Sequence, residues 1–117
     1  MLPMTAYKRG DVVLVPFVFS DDSGVKQRPA VVISSDTYNR ARQEVIISAI
    51  TSRTDRILNC DHLIKNWKEA GLVYPSVATG IIRTIKQSLI IRRLGSMSKG
   101  DLEQIDKQLR IAIGMDA

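Results

Sequence analysis

Residues 10–34 read GDVVLVPFVFSDDSGVKQRPAVVIS, two β-branched apolar runs held apart by Ser, Asp and Gly. The first run, residues 11–19, has strand composition, and its Pro16, with no N–H to give to a ladder, predicts an edge or a bend. Residues 20–27 supply turn conformations and no core face, which predicts an exposed hairpin loop. The second run, PAVVI at residues 29–33, is short and β-branched, as a buried strand is. Strand, loop and strand open a β-rich fold.

Working outward, EVIISAI at residues 44–50 is a further buried strand, and the polar SSDTYNRARQ before it is a connection with one turn of helix around residues 36–40. Residues 57–63, 76–84 and 86–94 are expected strands, each bounded by polar or Gly/Pro punctuation. Five or more short strands imply a small barrel. Residues 64–71, centred on Trp67, predict a helical turn, and residues 72–75 return the chain to the sheet. Ser98 and Asp101 have capping-box spacing. Leu102, Ile105, Leu109, Ala112 and Ile113 then recur at three and four residues, the stripe of an amphipathic helix that packs on the barrel, with Ile111 opposite it. There is no internal repeat, low-complexity tract or linker, so a single domain over residues 1–117 is expected.

Composition fits that reading. The chain has 117 residues, 44% hydrophobic and 25% charged, the mixture of a folded protein. Residues 1–6 lack the basic start and apolar centre of a secretory signal, and no apolar run approaches the roughly 20 residues of a membrane span. A soluble, cytoplasmic protein is expected. One cysteine, Cys60, and one histidine, His62, offer neither an internal disulfide nor a set of soft metal ligands, so no metal and no cofactor are expected. The net charge of +5 suits a polyanionic partner such as RNA, and equally suits plain solubility, because the cations are dispersed.

The stretches GDVVLVPFVFSDDSG, KQRPAVVIS, ISAITS, GLVYPSVA and IRTIKQS, in that order across residues 10–88, resemble those of the MazF/PemK toxins. Each is unspecific alone; the ordered set is specific. The resemblance implies a mainly β fold, an SH3-like barrel with a C-terminal helix. It also implies a homodimer silenced by a cognate antitoxin, which cuts single-stranded RNA, mRNA included, at short sequences. Such toxins use no metal, leave a 2′,3′-cyclic phosphate and a 5′-hydroxyl, and stop translation and growth. Two other readings stand beside it: a toxin on the same barrel that poisons DNA gyrase and cuts no RNA, and a non-catalytic RNA-binding barrel.

Cleavage of that kind requires a proton taken from a 2′-hydroxyl, neutralisation of the phosphorane charge and protonation of the departing 5′-oxygen. The resemblance implies an arginine opening the strand after the first loop, and the matching position is Arg28 in QRPAV. Its planar donor fork suits the equatorial oxygens of a phosphate, and Pro29 restricts it to extended backbone. A guanidinium stays protonated, which makes Arg28 a clamp and not a base. The resemblance places a hydroxyl at Thr51, with Ser52 beside it as a second contact.

Some relatives carry a glutamate in the first loop. Here that loop holds only Asp21 and Asp22, so Asp22 is the candidate base beside its reading as a solvated turn residue, and the base stays unassigned. His62 alternates with Leu58, Cys60 and Ile64 and reads as packed. Arg53, Arg56, Arg83 and Lys86 are candidate RNA-binding cations, and Tyr38 and Tyr74 candidate stacking faces. Phe17, Phe19 and Trp67 read equally well as core.

Overall fold

The computed structural model describes residues 7–18 and 24–116. Six strands form one antiparallel sheet: β1 (Asp11–Val18), β2 (Val25–Val32), β3 (Glu44–Thr51), β4 (His62–Leu63), β5 (Val77–Lys86) and β6 (Arg92–Ser96). Their order is β4-β5-β3-β2-β1-β6, so the barrel expected from the resemblance takes the form of a curled sheet with β4 and β6 at its ends. Two helices are added, α1 (Asp36–Ala41) between β2 and β3 and α2 (Lys99–Ala112) against β4 and β5. Register breaks in β1/β6 at Val12/Val13 and in β3/β5 at Ser48/Ile50 tighten the curl. At the second break Ser48 Oγ donates to Thr79 O (2.5 Å) and Thr79 Oγ1 to Ala49 O (2.7 Å), which satisfies a buried hydroxyl.

Side chains alternate between the two faces of a strand, and here both faces are covered. Val12, Val31 and Ile50 share one cluster with Ile64, Leu72, Met97 and Ile105. Val13, Val15, Ala30, Val32, Val45 and Ile47 share the other with Phe17 and Ile90. This is why the strands read as continuous apolar runs and not as an alternating pattern. Pro16 sits where sequence expects it. Leu14 O accepts from Ile91 N (2.9 Å), which marks the side of β1 facing β6, and Pro16 shares that side by alternation. Pairing with β6 ends at Leu14↔Arg92, so the missing donor falls on an open stretch of edge.

Several boundaries differ from the expectation. β2 starts at Val25, inside the expected loop, because β1 pairs it out to Val18↔Val25. The remaining loop, with Phe19, Asp21 and Asp22, lies outside the described residues. The strand expected over residues 57–63 shrinks to His62–Leu63. Cys60 turns to a positive φ of 71°, and Asp61 accepts from Leu58 N (2.9 Å) and Gly80 N (3.2 Å), making a side-chain-held turn that spacing does not reveal. β5 runs through residue 85 to Lys86, and the break comes as a 3-10 turn at Gln87–Leu89. The apolar stripe of α2 packs through Leu102, Ile105 and Leu109, while Ala112 and Ile113 are exposed, because a helix about 21 Å long outruns the two strands it touches.

Gln87 fixes the break. Its Nε2 lies within 2.8–3.2 Å of the carbonyls of Asn39, Arg42 and Glu44, the free end of α1 and the start of β3. Gln87→Ala should destabilise the fold by about 1–2 kcal/mol, read as a lower urea midpoint at unchanged m-value.

Candidate functional site

A single missing donor opens the cleft. Ile33 N donates to Ile46 O, so in β2 the odd-numbered residues turn their N–H side toward β3. Pro29 is the next but one in that series and has no N–H, and the β2–β3 register stops at Ala30↔Ala49. Beyond it, Arg28 and Thr51 occupy facing positions on strands that have parted. The gap is the floor of a cleft of about 520 Å³.

Arg28 is exposed, and its Nη1 donates to Gln27 O (3.1 Å), which draws the guanidinium around the strand edge. Thr51 is half-buried, and its Oγ1 accepts from Arg53 N (3.1 Å), leaving the hydroxyl proton to donate elsewhere. Ser52 lies beside it in the lining. From β6 comes Arg92, set opposite Leu14, which itself faces Pro29.

The opposite wall is the segment 71–76. Gly71 has a φ of +82°, and a Cβ there would come within 2.1 Å of Leu94 O; one on Gly95 would come within 2.6 Å of Ala70 O. Bare main chain of the wall therefore rests on bare main chain of β6. Leu72 is buried, and Ser76 Oγ donates to Tyr74 O (2.8 Å), which leaves the Tyr74 side chain standing out, 64% exposed, at the rim.

Among the described residues, two guanidinium groups and no carboxylate line this cleft, with Thr51, Ser52 and Ser76 as hydroxyls. Such a lining favours an anion held by forked donors. Among the described residues no three His, Cys, Asp or Glu side chains gather as a metal-ligand group.

The structure thus brings together Arg28, Thr51 and Ser52. Asp22 lies outside the described residues. Arg53 and Arg56 follow on the exposed loop after Ser52, where Arg53 Nε donates to Asp55 (3.2 Å) and that hydrogen bond holds the Asp55 carboxyl below its ordinary range. The β5 register carries Arg83 and Lys86 away from the cleft, opposite Ile47 and Glu44. Lys86 is seven residue steps along β3 from Thr51, about 23 Å, and lines a separate shallow pocket with Gln43 and Gln87. Arg83 lies over the Phe17 ring, 4.9 Å from its centroid. Phe17 is core, Trp67 packs against the first cluster, and Tyr38 lies under Arg42.

Sequence reasoning missed Arg92, placed in an undifferentiated strand run, because nothing local says that β6 returns to pair with β1. It also missed the part played by Asp101. Its carboxylate lies 2.8 Å from His62 Nε2, accepts from Lys65 N (2.9 Å) and Asn66 N (2.8 Å), and caps α2 with Ser98. Burial pushes its pKa up, and these hydrogen bonds outweigh that, so the carboxyl stays below its ordinary value. His62 is therefore a packing residue that ties β4 to α2.

A family model described as the PemK-like, MazF-like toxin of type II toxin-antitoxin systems matches residues 8–113. Among solved structures, the chain resembles an endoribonuclease in complex with its cognate antitoxin from a mycobacterial species, at 20% identity and a TM-score of 0.77, over 96% of this chain and 99% of the other. It resembles MazF from Deinococcus radiodurans at 21% identity and a TM-score of 0.76, over 96% and 100%. The Mycobacterium tuberculosis toxin MazF-mt6 matches at 18% identity and a TM-score of 0.74, over 92% and 99%. At such identities these likenesses establish the fold.

Proposed function

Because the chain belongs to the PemK-like, MazF-like toxin family of type II toxin–antitoxin systems, we propose that it is an endoribonuclease that cleaves single-stranded RNA at the Arg28–Thr51 cleft. The observation that carries this reading is the meeting of Arg28, Thr51 and Arg92 in one cleft, where forked donors and a hydroxyl suit a phosphodiester. The mycobacterial structure of the same fold is that of an endoribonuclease bound to its antitoxin, which supports both the activity and a protein inhibitor for this chain. A homodimer acting in the cytoplasm on mRNA completes the proposal; no helix among the described residues is long and apolar enough to cross a membrane.

In the proposed reaction the 2′-oxygen attacks phosphorus as its proton leaves to a base, and the P–O5′ bond breaks as the 5′-oxygen takes up a proton. The products are a 2′,3′-cyclic phosphate and a 5′-hydroxyl. Arg28 faces the charge that builds on the non-bridging oxygens, and Thr51 donates one further hydrogen bond, with Ser52 as a supporting contact. The base stays unassigned, with Asp22, outside the described residues, as its one candidate; Arg53 and Arg56 extend the cationic path past Ser52.

Purified protein should degrade single-stranded RNA in EDTA, and a single 2′-deoxy substitution at the cut position should stop it. Cleavage of that deoxy substrate would rule out attack by the 2′-oxygen, and intact RNA after incubation would rule out the ribonuclease.

A further inference from the structure

Arg92 and Tyr74 stand apart from the residues just assigned. Among the described residues, Arg9, Arg42, Arg53, Arg93 and Arg110 each pair with a carboxylate. The contrast within β6 is sharp: Arg93 donates to Asp11 (3.1 Å) and to Ser96 (2.8 Å), while its neighbour Arg92 makes no ion pair among the described residues and turns into the cleft. Pairing places Arg92, Leu14 and Pro29 in one row across three strands. Two strand spacings, about 10 Å, therefore separate the Cα of Arg92 from that of Pro29, next to Arg28. Long arginine side chains narrow or widen that gap freely, so both guanidinium groups reach one extended nucleotide strand without sharing a phosphate.

Tyr74 supplies the other half. Its ring is 64% exposed, and its main chain is held by Ser76 and by the Gly71–Gly95 contact, so little freedom is lost when a flat ligand stacks on it. It lines the same cleft as both arginines.

We propose that Arg92 and Tyr74 form a second nucleotide subsite, in which Arg92 holds a phosphate adjacent to the one at Arg28 and the Tyr74 ring stacks a base beside it. This rests on the reading of the cleft as an RNA site. A stacking face and a phosphate contact carry little base identity, so the subsite fixes the path of the strand and leaves the choice of sequence to other contacts.

The test measures binding of a short randomised single-stranded RNA with 2′-O-methyl groups, which 2′-oxygen attack cannot cut, and separately kcat and KM on unmodified RNA. Arg92→Gln should weaken binding about tenfold, reduce the salt slope by about 0.7, and place its loss in KM. Tyr74→Ala should weaken binding about tenfold, and Tyr74→Phe should restore it, since the face is kept. Arg110→Gln, a charge-matched change at the end of α2, is the control. Binding by Arg92→Gln equal to that of the control, or a Tyr74→Phe protein no better than Tyr74→Ala, overturns the subsite. A wild-type protein that binds but does not cut, with the Arg92 and Tyr74 effects present, overturns the ribonuclease and keeps the subsite; no binding at all overturns the subsite, and no cleavage of unmodified RNA beside it overturns both.

Discussion

Arg28→Ala is expected to lower kcat for RNA cleavage by about 10²–10³-fold while the protein stays folded. The size follows from what the side chain does. In the proposed reaction the charge that builds on the non-bridging oxygens is met by the forked Arg28 cation, and alanine leaves it to water. The fold tolerates the loss because Arg28 is exposed and its strand is held from the other side by β1 through the Val15↔Arg28 pair. Exposed positions of this kind shift stability by no more than about 0.5 kcal/mol. Arg28→Lys should recover little, since a point ammonium cannot span two oxygens. Cleavage rates for Arg28→Ala within a few-fold of wild type, at an unchanged melting temperature, would remove Arg28 from the chemistry.

The largest effect on stability is expected at Asp101. Asp101→Ala strips the partner from the N–H groups of Lys65 and Asn66, from His62 and from the cap of α2 together. The donors are partly buried around a buried carboxylate, and losing the set together should cost about 3 kcal/mol, a fall of roughly 10 °C in Tm for a domain of this size. The pH dependence has a definite sign. Because the folded carboxyl is held below its ordinary value, its contribution is complete above about pH 4 and fades as pH drops through the folded pKa. The gap between wild type and Asp101→Asn should therefore be widest near neutrality and close in acid. A gap that stays constant down to pH 2, followed by circular dichroism, would assign the stabilisation to something other than the ionised carboxylate.

How much of this was legible beforehand depended on whether a signal was local. β1, β3 and the cap at Ser98 are written in consecutive residues, and Pro16 even announced the open edge. Residues 57–63 looked like a strand because Ile57, Leu58 and Leu63 are apolar, but Asp61 had a long-range partner in Gly80 N and bent the segment away. The same division holds at the site. Arg28 and Thr51 lie within motifs that the resemblance covers, so both could be named from sequence. Arg92 enters only when the last strand crosses back to the first, and Arg83 and Lys86, equally plausible as cations, are carried off by a register that no local pattern encodes.

The contact of Gly71 with Gly95 has a wider consequence. Since the wall of the cleft is seated by main chain against main chain, its position does not depend on the identities of Val73, Tyr74 and Pro75, which project outward as exposed residues. Those three positions behave as an exchangeable cassette on a fixed mount. A lineage, or an engineer, can retune what the rim touches without having to rebuild the scaffold that holds it.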